Sequence, residues 1–75
     1  MNELNVKNCT DYLVSMDFEN IQFKGEQNKC LYFSAIDEDY KRKNIEFDPL
    51  FNKEGIVVSV EGKHGGWIIL DVLKD

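Results

Sequence analysis

The last third of the chain constrains the fold more than any other part. Residues 56–61 read IVVSVE and residues 67–73 read WIILDVL, and the stretch between them, GKHGG, supplies three of the five glycines and the only histidine. Ile56, Val58 and Val60 alternate with Val57, Ser59 and Glu61, which is the period of a strand with two different faces. The second run is rich in β-branched and aromatic residues and is also of strand length. Two such runs joined by a short glycine-bearing segment predict a β-hairpin with His64 at its bend. A phosphate-binding glycine loop would instead open a helix and would continue Gly-Lys with Ser or Thr. Here the lysine is followed by His64 and the loop leads into Trp67-Ile68-Ile69-Leu70. The second run is apolar on both faces, so it is expected to lie centrally, in a closed barrel or between a sheet and a helix, with Asp71 in solvent.

Upstream the pattern repeats. CLYFSAI, residues 30–36, is a strand candidate, and a shorter one at residues 21–24 precedes it across a polar turn through Gly25 to Lys29. IEF, residues 45–47, is a further short strand, and Asp48-Pro49 begins a turn, since proline lacks the N–H that a central strand needs. Leu50 and Phe51 are expected to be buried from that loop, and residues 52–55 turn the chain into the final hairpin. Residues 37–44, DEDYKRKN, form a charged connection in which Asp37 could cap a single helical turn. Residues 11–19 fit two periods. Val14, Met16 and Phe18 alternate as in a strand, while Thr10 could cap a helix carrying Val14, Phe18 and Ile21. The strand is the favoured reading. The fold expected is mainly β: a small antiparallel meander or partly open barrel of five to six short strands, with one short helix allowed. The alternative is an α+β domain with an N-terminal helix on a four-stranded sheet.

A chain of 75 residues makes one domain, residues 1–75. A chain of this size buries only roughly 60% of its unfolded surface, so each core side chain matters. Phe23, Phe33, Phe47 and Trp67 are expected to fill the core, leaving Tyr12, Tyr32 and Tyr40 to reach the surface. The net charge of −5, from 14 acidic and 9 basic side chains, disfavours nucleic acid and anionic membrane surfaces. It suits a basic protein partner. No apolar run approaches the roughly 20 residues of a membrane span, and the N-terminal MNELNVKN lacks a signal-like apolar stretch, which leads to the expectation of a cytoplasmic protein. Cys9 and Cys30 form no CxxC pair and are expected to be reduced thiols.

Few residues carry a recognisable chemistry. His64 has no hydroxyl or thiol nucleophile placed beside it by any motif, so no catalytic residue is assigned. Asp37, Glu38 and Asp39 are consecutive rather than alternating, and Lys41, Arg42 and Lys43 follow them, which is the wrong pattern for calcium. Zinc would need more than two distant cysteines and one histidine. No cofactor or metal is therefore expected. The basic triplet beside Tyr40 could contact single-stranded nucleic acid, but it is a small footprint for that task. The residues best suited to meet a partner are Asp37, Glu38, Asp39 and Tyr40, with Glu61 and His64 as a second patch. The expectation is a non-enzymatic protein-binding module of the inhibitor, immunity or anti-defence type, acting stoichiometrically on a basic partner. The alternative is a small barrel that binds single-stranded nucleic acid.

Overall fold

The computed structural model describes residues 3–49 and 55–74. One helix, α1 (Val6–Ser15), precedes five strands: β1 (Glu19–Gln27), β2 (Cys30–Ile36), β3 (Arg42–Pro49), β4 (Ile56–Glu61) and β5 (Trp67–Leu73). The strands pair antiparallel in the order β1-β2-β3-β4-β5. The fold is thus mainly β, a five-stranded meander with one short helix. The sheet is open, with β1 and β5 as its edges, and does not close into a barrel. The expected turn at residues 52–55 and the burial of Leu50 and Phe51 lie outside the described residues, except for Gly55.

Residues 11–19 correct the strand favoured from alternation, because the first part of that segment is helical. The cap is Asn5, not Thr10: Asn5 has an extended backbone and its side chain accepts from the Asn8 N–H at 2.8 Å. Thr10 instead donates its hydroxyl to the Val6 carbonyl. Cys9 and Leu13, one helical turn apart, are fully buried. Val14, which gave the strand-like alternation, points to solvent at 60% exposure. The helix stops in a paired closure. Asp17 takes the left-handed φ of 67° and donates to the Val14 carbonyl, and Phe18 donates to the Leu13 carbonyl.

The strands place alternate residues on the two faces. Phe33 lies between Phe23 and Ile45, Ile45 pairs with Val60, and Val60 with Ile68. Leu31, Phe47, Val58 and Asp71 make the next row of the same face. This face packs under α1, where Cys9 and Leu13 meet Phe33, Phe47, Ile45 and Val58. Phe33 and Phe47 meet edge to face with centroids 5.5 Å apart, and Tyr12 caps Phe47 at 5.9 Å. The opposite face carries Tyr32, Glu46, Ser59 and Ile69 in one row, and no described helix or strand packs over it.

Further expectations change. Asp48 and Pro49 do not begin a turn: they end β3, paired with Val57 and Ile56. The turn between β1 and β2 is only Asn28-Lys29, both with positive φ, and Gly25 lies inside β1 at a shift of register, with φ +133°. Phe33 and Phe47 are core, but Phe23 and Trp67 are edge residues, 46% and 42% exposed. Most importantly, β5 is not central. Its apolar side chains suit a strand covered on both sides, yet it is the last strand and no described strand pairs with its outer edge. Asp71 is not in open solvent either: Tyr12 donates its hydroxyl to Asp71 Oδ2 at 2.8 Å across the core face.

Candidate functional site

Two loops meet at one end of the sheet. Residues 37–41 join β2 to β3, and residues 62–66 join β4 to β5. The pairings Ile36 with Arg42, Ile45 with Val60 and Glu61 with Trp67 bring both loops to that end. All six partner-contact residues expected from the sequence therefore lie together at the same end, although not on one face.

The two loops share one hydrogen-bond plan. In the glycine loop, Gly62 donates to the Gly66 carbonyl at 2.7 Å and Gly65 donates to the Gly62 carbonyl at 3.1 Å. In the acidic loop, Asp37 donates to the Lys41 carbonyl at 2.9 Å and Tyr40 donates to the Asp37 carbonyl at 3.0 Å. Each is a three-residue hairpin loop whose third residue is left-handed, the arrangement in which glycine is usual. Gly65 occupies that position in one loop, with φ +85°. Tyr40 occupies it in the other, with φ +63°, and its ring is 87% exposed. The single helical turn expected after Asp37 is absent. Asp37 instead clamps its own loop: its Oδ1 accepts from the Asp39 N–H at 2.9 Å and the Lys41 N–H at 3.0 Å. His64 sits exposed in the glycine loop, as the hairpin reading requires.

Beside the acidic loop is a cavity of about 270 Å³ on the helix side of the sheet. Its floor is apolar, made by Met16, Phe18, Val60 and Leu70, and its rim carries Asp37, Glu38 and Asp39 with Lys43. Met16 and Leu70 are 43% and 41% exposed, so the floor is open to a partner. The floor was not foreseen from the sequence. It joins the end of α1 to β4 and β5, and only the folded chain places those elements side by side.

Glu61 belongs to the other face. It accepts from Asn44 Nδ2 at 3.3 Å and borders a second cavity of about 250 Å³ with Lys24, Tyr32 and Trp67. The Tyr32 and Trp67 rings are 6.1 Å apart. Tyr32 donates to Glu46 Oε2 at 2.8 Å, and that bond pushes its hydroxyl up to about 12. The basic triplet is divided by the strand period. Arg42 bonds Ser34 and Asn20, both at 2.7 Å, while Lys43 borders the cavity of the opposite face.

Both cysteines are free and buried. Burial pushes the Cys9 thiol up to about 12. Burial and the nearby Asp48 push Cys30 up to about 11. Neither is a thiolate at neutral pH, and so neither is an activated nucleophile. Among the described residues, no three His, Cys, Asp or Glu side chains converge as a metal-ligand set. No described helix is long and apolar enough to cross a membrane. Comparison with protein-family models, with curated proteins and with solved structures finds no match to this chain.

Proposed function

We propose that the protein is a non-enzymatic binding module that takes a basic segment of a partner protein at its acidic loop. The observation that carries this reading is Tyr40. A bulky residue held at positive φ costs on the order of 1–3 kcal/mol, and such costs concentrate where a side chain must be presented. The ring is exposed, in the same loop as Glu38 and Asp39, and those two carboxylates rim the neighbouring cavity with its apolar floor. Tyrosine supplies large contact area with a polar tip and is common among residues that dominate binding energy. An apolar floor with a carboxylate rim suits a lysine or arginine, whose aliphatic stem packs while its charged head meets the acids. A stoichiometric inhibitor or immunity-type role fits such a module.

The test is selection of peptides from a random displayed library against the immobilised protein. Selected peptides should carry lysine or arginine beside an apolar residue. Their binding should weaken as salt rises and should perturb the NMR signals of Glu38, Asp39, Tyr40 and Met16. Selection of peptides lacking cations, or perturbation confined to other surfaces, contradicts the reading.

The nucleic-acid alternative draws on Tyr32 and Trp67, a ring pair beside Lys24 on the open face. Glu46 and Glu61 share that face and oppose phosphates, and Arg42 and Lys43 do not act together there. Short single-stranded oligonucleotides at low salt should leave Trp67 fluorescence unchanged.

A further inference from the structure

We infer that the cavity bounded by Tyr32, Trp67 and Glu61, on the face of the sheet away from α1, binds a small zwitterion whose trimethylammonium head rests on the two rings and whose anionic end meets Lys24. The cavity beside the acidic loop lies on the other face, and the inference does not rest on the reading given for that loop.

The two rings come from distant strands. Tyr32 stands on β2 and Trp67 begins β5, with β3 and β4 between them. Neighbouring strands lie about 4.8 Å apart, so these two backbones are separated by roughly 14 Å. The ring centroids are 6.1 Å apart, so the side chains lean toward each other across β3 and β4. Ser59, on β4 in the row of Tyr32, is 4% exposed although no described helix or strand covers this face. Tyr32 is held by its hydrogen bond to Glu46 at 2.8 Å. The planes tilt by 51°, which makes a wedge rather than a closed stack. Cation–π attraction acts within about 6 Å of a ring centroid, and one cation can meet that distance for both rings.

Charge selects the occupant. Among the described residues, Lys24 and Glu61 are the charged side chains that line the cavity. Glu61 pairs in register with Trp67, and Asn44 Nδ2 donates to its carboxylate at 3.3 Å. A cation beside the indole therefore meets a carboxylate as well as two rings. A trimethylammonium suits this place better than a lysine ammonium, which is strongly hydrated and seeks hydrogen-bond acceptors. Lys24 enters from β1, at the other side of the sheet from Trp67. A simple cation would leave that lysine unanswered, whereas a carboxylate a few bonds from the ammonium answers it. A methylated lysine on a protein carries no anion at such a fixed distance. A free phosphate is opposed by Glu61 and Glu46. Arg42 shares this face, but its guanidinium is engaged with Ser34 and Asn20, both at 2.7 Å. The volume of about 250 Å³ agrees with a small ligand. Pockets for drug-sized molecules start at about 300 Å³.

Titration of the intact protein with γ-butyrobetaine, followed by Trp67 fluorescence and by NMR, tests this. Binding should saturate, change the emission of the sole tryptophan and perturb the signals of Tyr32, Glu61 and Lys24. The carbon isostere, in which a tert-butyl group replaces the trimethylammonium, should bind at least about 10-fold more weakly. Choline, which lacks the carboxylate, should bind about 3-fold more weakly, and Lys24→Gln should abolish that difference. Trp67→Leu, at a half-exposed site, should leave the circular dichroism spectrum unchanged and weaken binding at least about 10-fold by NMR. A trimethyllysine peptide should bind more weakly than γ-butyrobetaine. Equal affinity for the isostere overturns the inference, as does the absence of binding at about 10 mM ligand, weaker than the millimolar range of small head groups. Tighter binding of the peptide overturns the assignment to a small zwitterion.

Discussion

The acidic loop and the glycine loop have the same length, the same closing hydrogen bonds and the same left-handed third residue. They differ in what fills that position. Gly65 fits it without steric cost, and nothing lies within 4 Å of where a side chain would begin, so glycine is there for its backbone alone. Tyr40 fits it at a cost, with its ring in solvent. One hairpin therefore makes its turn without steric cost, while the other holds an exposed aromatic ring in a backbone conformation that costs stability. The pair also shows two routes to the same turn. The glycine loop relies on a permissive residue, whereas the acidic loop relies on the Asp37 side chain bonding two of its own N–H groups.

The comparison holds only if both loops are carried by one cooperative core, and alkaline pH probes that with the largest expected effect. The Cys9 thiol rises from 9.0 to about 12 on folding and Cys30 from 9.0 to about 11. Tyr32 rises from 10.0 to about 12. Groups raised in the folded state contribute stability that is fully present below the unfolded value and is lost as pH climbs through the folded one. Urea unfolding should therefore be insensitive to these groups up to about pH 9 and should weaken steadily toward pH 12. Cys9 alone accounts for on the order of 4 kcal/mol. Separate transitions for the β2–β3 and β4–β5 hairpins would break the comparison.

Next in size is Asp37→Ala. It removes the acceptor for two backbone N–H groups and should cost about 2 kcal/mol, measured by chemical denaturation. The glycine loop has no equivalent side chain to lose. Gly65→Tyr makes the second loop resemble the first and should cost about 1–2 kcal/mol, since the surrounding space is open and only the backbone objects. The converse change, Tyr40→Gly, should stabilise the protein by about 1 kcal/mol. Equal and opposite shifts from the last two variants would sharpen the view that both loops meet one backbone requirement.

Much of the sheet was legible because strand period and turn residues agree locally. β2 and β4 appear where alternation put them, and the hairpin around His64 follows from its glycines. The chain between residues 11 and 19 misled because Val14, Met16 and Phe18 alternate by chance, while the information that decides for helix lies at Asn5, Cys9 and Leu13. β5 misled for a different reason. Apolar residues on both faces normally mean cover on both faces, and nothing in one chain's sequence says whether that cover comes from within. The acidic residues were found by composition. Their floor was not, because Met16, Val60 and Leu70 are brought together only by the helix and the last two strands. The left-handed backbone at Tyr40 leaves no mark in the sequence, since tyrosine is not a residue from which such a turn is inferred.

The most direct measurement is the dissociation constant of wild type and Tyr40→Gly for one basic peptide taken from the display selection, determined by calorimetry at the same salt. A ring kept at a cost for contact should be missed: the variant should bind at least about 30-fold more weakly, as loss of a dominant interface residue does, although its fold is intact. Equal affinity in the two proteins would mean that the exposed tyrosine is not what the acidic loop is built to present.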